Sequence, residues 1–530
     1  MRAEYLKIER GTVHDPANGV DGQAADIWIL GSRIVEPPDA NSDHAVRVID
    51  ARGLVVMPGG VDMHCHIVGP KVNAGRLITP EQTRRGAPGD VPSTSLTGRR
   101  YAGLGYTTAF DAAIPPLSAR HAHLELEDVP CVDRGFYTLA GNNHYILNAL
   151  KSGDSARVRP FLGWLLNVTR AYAIKVVNPG GVEAWKSGAT GTERDLDDPI
   201  DHFNVTPRRI LTTIAQAVDD LGLPHPVHIH ANNLGLPGNW STTLETMGAL
   251  EGRRGHLTHI QFHSYGGKDA DEAGFCSRVT PLADYVNAHD NITVDVGQVL
   301  FGETVSMTAD GPAGHYLARL NGSRWYSHDV ELESGCGVSP IEYRDKSAVN
   351  AWQWAAGLEW YLLVQDPWRV AMSTDHPNGG SFLAYPHVIR LLMDHAYRRE
   401  VLKSTPERVR ERSLLRDLDR EYSLGEIAII TRAGPARILG LANKGHLGPG
   451  ADADITIYTP SANYQEMFEL PRHVIKGGRV VIENGEFRDE PAGETLFVAP
   501  DYDRDVEPGI ERWFEEMYTV RYRNYAVGSP

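Results

Sequence analysis

Short apolar runs spaced along the middle of the chain constrain the fold more than any other feature. They cover residues 106–110, 172–177, 227–230, 257–262, 292–296 and 370–374, and read as strands. Residues 207–221 have helical periodicity and end at Gly222, so a helix feeds directly into the run at 227–230. Strands alternating with helices imply a parallel sheet and an α/β fold. A chain of 530 residues has room for eight such units, closed as a (β/α)8 barrel of the TIM type, plus a second unit. Periodicity alone does not place all eight. Two stretches rich in Gly, Pro and polar residues, 71–100 and 302–337, read as long βα loops, which in such barrels cover the active site.

The two ends of the chain read differently. Residues 8–13 are extended, Pro16-Ala-Asn-Gly is a turn, and strands follow at 25–30, 33–35, 46–50 and 54–57. They lead directly into Pro58-Gly-Gly-Val-Asp-Met-His-Cys-His. After a helix running through 432–441, β structure returns: Ala451-Asp-Ala-Asp-Ile-Thr-Ile-Tyr alternates like a strand, and 473–476 and 478–484 form a hairpin. The economical arrangement pairs both ends into one small β domain flanking the barrel. The expected division is 1–57 and 431–497 for that domain and 58–430 for the barrel. An extension at 498–530 carries aromatic and Arg residues that dock on the body or on a partner.

Composition excludes several classes. Hydrophobic residues make up 42% and charged residues 23%, which suits a packed globular chain rather than disorder. The formal net charge of −16 argues against a nucleic-acid partner, because phosphate binding needs a basic surface. It leaves room for a local basic pocket. The cysteines Cys65, Cys131, Cys276 and Cys336 include no C-x-x-C pair, so iron–sulfur and structural zinc signatures are missing and no disulfide framework is expected. A reducing cytoplasm is the simpler expectation. The start of the chain lacks the apolar region of a signal peptide. No run of about 18 apolar residues occurs, so no membrane span is expected.

The chemistry-bearing residues sit at the ends of the strand candidates. In His64-Cys65-His66, residues i and i+2 of a strand face one side, so both imidazoles can enter one site, and imidazole suits zinc. Two core or surface histidines are the plain alternative. Lys175 lies within the apolar run Ala171-Tyr-Ala-Ile-Lys-Val-Val, where a buried amine is costly unless paired or modified. Carboxylation by CO2 would turn it into a bridging carboxylate; an amine reaching solvent from a strand end is the plain alternative. His228 and His230 share one motif, and His256, His259 and His263 another. One ligand from each set is the functional reading, with the rest packed in the core. Asp375, in Met372-Ser-Thr-Asp-His-Pro-Asn-Gly-Gly, can ligate metal and take a proton from water, or simply cap a turn.

The order of these residues is more specific than any one of them. H-x-H, then Lys, His, His and Asp, each ending a strand in turn, resembles the ligand order of the amidohydrolase superfamily. The terminal strands resemble that superfamily's β-sandwich, built from N- and C-terminal segments. The wider text Y-A-I-K-V-V-N-P-G-G from Tyr172, H-I-H-A-N-N-L-G from His228, L-T-H-I-Q-F-H-S-Y-G-G from Leu257 and T-D-H-P-N-G-G from Thr374 is more specific still. It is similar to the amidohydrolase-type component of formylmethanofuran dehydrogenase, a family that includes the hydrolase component of the formyltransferase/hydrolase complex.

The resemblance implies a binuclear zinc site. Its metal ligands would be His64, His66, Lys175 in carboxylated, bridging form, His230, His259 and Asp375. His230 is preferred because His-Ala-Asn-Asn resembles H-A-E-N in hydantoin-type enzymes, and His259 because Thr-His-Ile-Gln resembles V-H-V-S. His263 competes with His259, lying on the same face if the strand continues. Asp375 would be the catalytic acid and base. The implied reaction is hydrolysis of formyl-methanofuran or formyl-methylofuran to formate and the free cofactor. The implied partners are a formyltransferase and two further subunits. Three other readings stay open: the corresponding component of a methanogen-type dehydrogenase complex, a free-standing cyclic amidase or N-acyl-amino-acid deacylase, and a non-catalytic barrel scaffold.

Overall fold

The computed structural model describes residues 4–39, 45–80, 91–188, 194–268, 274–327 and 337–528. Eight parallel strands follow one another in space in the order in which they occur in the chain. They are Gly60–Cys65, Tyr106–Ile114, Asp133–Leu139, Ala173–Val177, Val227–His230, Gly255–Leu257, Ile292–Asp295 and Val370–Ala371. A parallel bridge between Cys65 and His376, with His66 N donating to His376 O at 2.7 Å, closes first strand to last. The result is a (β/α)8 barrel. Its second to fifth strands are buried along their whole length, as expected for strands covered by helices outside and filled by side chains within. The helix Pro207–Asp220 shows how local sequence sets an element. Thr206 accepts from the backbone N of Arg209, Pro207 presets the first turn, and Ile210, Leu211, Ile214 and Val218 form the buried stripe.

A nine-stranded sheet flanks the barrel as a β-sandwich. Five strands come from the N-terminal end, Glu4–Asp15, Val20–Leu30, Arg33–Val35, Ala45–Asp50 and Val55–Pro58. Four come from the C-terminal end, Ile455–Tyr458, His473–Lys476, Arg479–Glu483 and Glu486–Phe487. The two ends meet where Val55–Pro58 pairs antiparallel with Ile455–Tyr458. Ile8, Val13, Ile29, Val56, Ile455 and Ile475 form the core beneath it. Val55–Pro58 also runs almost directly into the first barrel strand, so the sheet fixes where that strand starts. In the C-terminal extension, Ile510 and Phe514 of the helix Glu507–Met517 are buried, and Phe514 meets Trp164 at 5.6 Å.

Several elements differ from the sequence reading. The strand expected over 257–262 ends at Leu257; His259 takes a left-handed backbone (φ 34°) and Ile260–His263 forms a 3-10 turn. The run at 370–374 contributes only Val370–Ala371 to the sheet. The stretch 71–100 is no plain loop: Gly69–Ile78 and Thr94–Gly103 are helices, with 81–90 outside the described residues. The stretch 302–337 builds a small antiparallel sheet from Gly302–Thr308, Tyr326–Ser327 and Gly337–Tyr343, with the helix Gly311–Asn321 packed on it. Residues 328–336, including Cys336, lie outside the described residues. Backbone pairing within this insertion satisfies donors and acceptors that a bare loop would leave to water. Among the described residues no helix is long and apolar enough to cross a membrane.

Candidate metal centre

The predicted residues converge at the C-terminal mouth of the barrel, where the strands direct their last side chains inward. His64 belongs to the first strand and His66 follows its end; their alternation sends both rings to the same place. His64 Nε2 lies 2.9 Å and His66 Nε2 3.2 Å from the same oxygen, Oδ1 of Asp375. Yet neither His64 Nε2 nor Asp375 Oδ1 makes a hydrogen bond of acceptable geometry, although both are buried. Three lone-pair-bearing atoms that lie close together without bonding one another could hold a cation. Asp375 reaches this position through a left-handed backbone (φ 51°), a conformation that side chains rarely adopt.

A second group lies across the mouth. His230 ends the fifth strand, and His259 and His263 bracket the 3-10 turn after the sixth; one nitrogen from each lies within 4.8 Å of the other two. His230 Nε2 is 3.2 Å from Oδ2 of Asp310, the residue that caps the helix Gly311–Asn321. His263 is therefore not on a strand with His259. The turn brings both to His230. His228 and His256 point instead into the barrel interior. His228 Nε2 is 3.1 Å from His64 Nδ1, and His256 Nε2 is 3.1 Å from Asp295 Oδ2.

Lys175 lines the same cavity as His64, His66, His230, His259 and Asp375. It is 1% exposed and its amine has no hydrogen-bond partner. Burial lowers its pKa to about 7, against the pull of Asp295 and Asp375. An amine that sheds its proton near neutral pH is a nucleophile for CO2, and a buried, unpartnered one gains hydrogen bonds or ligands by becoming a carbamate. Burial pushes Asp375 toward its neutral form, but His64 and His259 outweigh it and hold the carboxyl well below its usual range. Burial likewise keeps His259 and His263 neutral, the state in which imidazole binds metal. The donor set of imidazole nitrogens and carboxylate oxygens fits borderline divalent ions such as zinc.

Behind these residues stands a layer that sequence reasoning missed. Asp111 Oδ1 is 3.5 Å from His66 Nδ1, and its other oxygen accepts from the backbone of Ile67 and Val68 at 2.8 and 3.1 Å. Asp295 faces Nδ1 of His64 in the same way, and Thr258 donates to Asp295 at 2.7 Å. Both aspartates stand at the end of a barrel strand or close to it, the same signal that singled out Asp375. Asp310 lay in a stretch read as loop.

The cavity measures about 1100 Å³ including its open mouth. Besides the polar groups just described, its lining includes the apolar Leu234, Phe262, Met307, Leu317, Ile341 and Val349, several of them contributed by the 302–343 insertion.

A (β/α)8 barrel with imidazoles, a buried lysine and a carboxylate at its mouth defines a class of hydrolases. The chain belongs to the Amidohydrolase family, whose profile matches residues 47–482. Protein FwdA of Methanocaldococcus jannaschii is 44% identical to it, over 99% of this chain and 96% of that protein. The A component of the formyltransferase/hydrolase complex Fhc of Methylorubrum extorquens is 39% identical, over 98% of this chain and 96% of that protein. The X-ray structure of that organism's formyltransferase/hydrolase complex (FhcABCD) with methylofuran contains a chain that superposes with a TM-score of 0.92 at 38% identity, covering 99% of this chain and 96% of its own. N-acyl-D-glutamate deacylase of Bordetella bronchiseptica, at 14% identity and a TM-score of 0.53 over 94% of this chain and 100% of its own, shares the fold alone.

Proposed function

We propose that this chain hydrolyses the formamide bond of formyl-methylofuran or formyl-methanofuran to formate and the free cofactor, as the cytoplasmic hydrolase component of a formyltransferase/hydrolase complex. The observation that carries this reading is the amine of Lys175, buried without a partner in a cavity that also receives His64, His66, His230, His259 and Asp375. These six residues would hold two zinc ions, with Lys175 as the bridging carbamate. Bound there, the ions supply water that ionises near neutral pH and polarise the formyl oxygen.

The chain's own residues do the rest. Asp375, on the first ligand group, takes the proton of the attacking water and returns it to the departing amine. Asp111 and Asp295 hold the imidazoles of His66 and His64 from behind and set which ring nitrogen faces the cavity. Phe262, Met307 and Ile341 pack on the apolar part of the substrate and keep bulk water from the reacting carbon. The formyltransferase partner and two further subunits are carried over from the similarity to the hydrolase component of Fhc. The 44% identity to Protein FwdA favours a second reading, the same hydrolase chain within a methanogen-type dehydrogenase complex. Copurification of a molybdopterin or iron–sulfur protein would select that reading.

Metal content and formate release from formyl-methylofuran, measured on the wild type and Lys175→Ala, test the proposal. Two zinc ions per chain with formate release in the wild type, and loss of both release and two-ion occupancy in the variant, is the expected result. Two zinc ions without formate would overturn the substrate and point to another amide. Carefully prepared protein that binds no metal would overturn catalysis and leave a scaffold.

A further inference from the structure

His263 closes the turn Ile260–His263 and is 1% exposed. Neither of its ring nitrogens makes a hydrogen bond of acceptable geometry. An imidazole withdrawn from water with both nitrogens unsatisfied is a cost without visible return, and buried polar groups ordinarily have partners. Its surroundings supply the missing one. The ring stacks on that of His259 at 5.3 Å and 22° and meets His230 edge-on at 5.3 Å and 75°. Along an extended strand, residues four apart would sit roughly 13 Å from one another and could not share an ion. The left-handed backbone of His259 and the 3-10 turn after it remove that separation. His230 and His259 line the cavity and His263 does not, so His263 approaches from the protein side and is not placed to touch a substrate.

We propose that His263 is a third imidazole ligand, and that His230, His259 and His263 form a cation subsite complete in protein ligands without the carbamate of Lys175. The proposal rests on the binuclear reading above for the presence of metal, but not for the substrate. The two subsites then differ in kind. The trio supplies three neutral nitrogens, a set that retains zinc or cobalt unaided. The other subsite offers two imidazoles and the Asp375 carboxylate, and depends more on the lysine carbamate. Asp310, 3.2 Å from His230 Nε2, orients one member of the trio. The ion of the trio is thus the resident one, bound first and lost last, and lysine carboxylation controls occupancy of its neighbour.

Metal binding by the full-length chain tests this without any assay of turnover. Cobalt and zinc are counted per chain after exhaustive dialysis, and affinities are taken from chelator competition, for the wild type, Lys175→Ala, His263→Ala and the double variant. Lys175→Ala is expected to keep one ion and the double variant none. His263→Ala alone is expected to weaken one of two ions by more than the 10- to 100-fold typical of losing an indirect partner. The visible spectrum of the single cobalt in Lys175→Ala should change when His263→Gln is added. That glutamine keeps size and polarity, and it replaces alanine if metal-free His263→Ala melts differently from the wild type. Two ions bound by His263→Ala with wild-type affinity, or equal metal in Lys175→Ala and the double variant, would overturn the proposal. Failure of formate release with these metal counts intact would overturn only the substrate.

Discussion

Asp295 Oδ2 stands 3.1 Å from Nδ1 of His64, while Nε2 of the same ring faces Asp375 at 2.9 Å. The carboxylate is buried completely and is held by four further groups. Ser373 and the backbone N of His259 donate to its other oxygen at 2.7 and 3.0 Å, and Thr258 and His256 reach Oδ2 at 2.7 and 3.1 Å. Burial alone would favour its neutral form, but His64 and His256 hold its pKa well below the usual range. A fixed negative charge at Nδ1 keeps a proton there and leaves Nε2 free for metal. Asp295 also ties His64 on the first strand to the turn that begins at His259, so it links the two ligand groups.

Asp295→Asn keeps the shape and removes the charge. We expect metal affinity to fall on the order of 10- to 100-fold with the chain still folded. Chelator competition measures the affinity and a thermal melt checks the fold. Unchanged affinity would reduce Asp295 to a packing residue.

The flanking sheet is fastened to the barrel by charges whose partners lie far apart in sequence. Lys476 Nζ is 2.9 Å from Asp133 Oδ2 at the start of the third barrel strand and 3.1 Å from Asp454 Oδ1. Lys444 bonds Asp133 as well, and lies 3.0 Å from Asp454 Oδ2. Burial opposes ionisation of Asp454, yet the two ammonium groups lower its pKa to about 2. A carboxylate depressed in the folded state binds fewer protons there than when unfolded. Its stabilisation is therefore full above its ordinary value near 3.8 and is lost as pH falls toward 2. A shift of this size corresponds to roughly 2 kcal/mol. Asp454→Asn should be less stable than the wild type at pH 7, and the gap should close between pH 4 and 2. Urea unfolding at pH 7, 4 and 3 reads both; a gap independent of pH would refute the ionic origin.

Phe514 separates the stability of the C-terminal extension from the chemistry of the barrel. Its ring is 2% exposed and lies 4.5 Å from Tyr518, 4.8 Å from Tyr525 and 5.6 Å from Trp164. Phe514→Ala opens a cavity among aromatic rings and should cost about 3 kcal/mol in urea unfolding. Metal content should not change. Loss of metal would show instead that the extension supports the barrel mouth.

How far the sequence discloses the site depends on whether local pattern or distant contact sets the geometry. The i, i+2 alternation of His64 and His66 is local, and both rings meet Asp375 as the pattern implies. Lys175 is legible only in part: an amine inside an apolar run is costly when buried, but a strand-end lysine reaching solvent is the ordinary alternative until the fold shows it buried. The path after Leu257 is not local. Nothing in Thr-His-Ile-Gln-Phe-His forces His259 out of the sheet; its backbone N bonds Asp295, and Gln261 N bonds Val296 O at 3.2 Å, and these contacts turn the chain. The third barrel strand is hidden because it opens on Asp133-Arg134, whose charge is met by lysines more than 300 residues away. Asp111 and Asp295 are within reach, because each stands at or beside the end of an apolar run read as a strand, 106–110 and 292–296, as Asp375 does after 370–374. Without the fold, an aspartate there is indistinguishable from a turn residue.

Gly297 offers the sharpest test that backbone placement, and not residue type alone, builds the centre. It has a φ of +66°, and a Cβ added there would lie 2.5 Å from Cβ and 2.8 Å from Cα of His259, with Asp375 Cβ at 3.5 Å. No rotamer relieves a clash with a backbone atom, and the left-handed conformation adds strain of about 1 kcal/mol for any side chain. Gly297→Ala must therefore displace the His259 backbone. Every proposed ligand remains in the chain, yet the ion held by His230 and His259 should bind at least tenfold more weakly. The barrel should stay folded with a lower melting temperature. Metal counting after dialysis and a thermal melt on the same sample separate these effects. Full metal retention in Gly297→Ala would mean that His259 is not a ligand, and the sixth-strand role would then pass to His263.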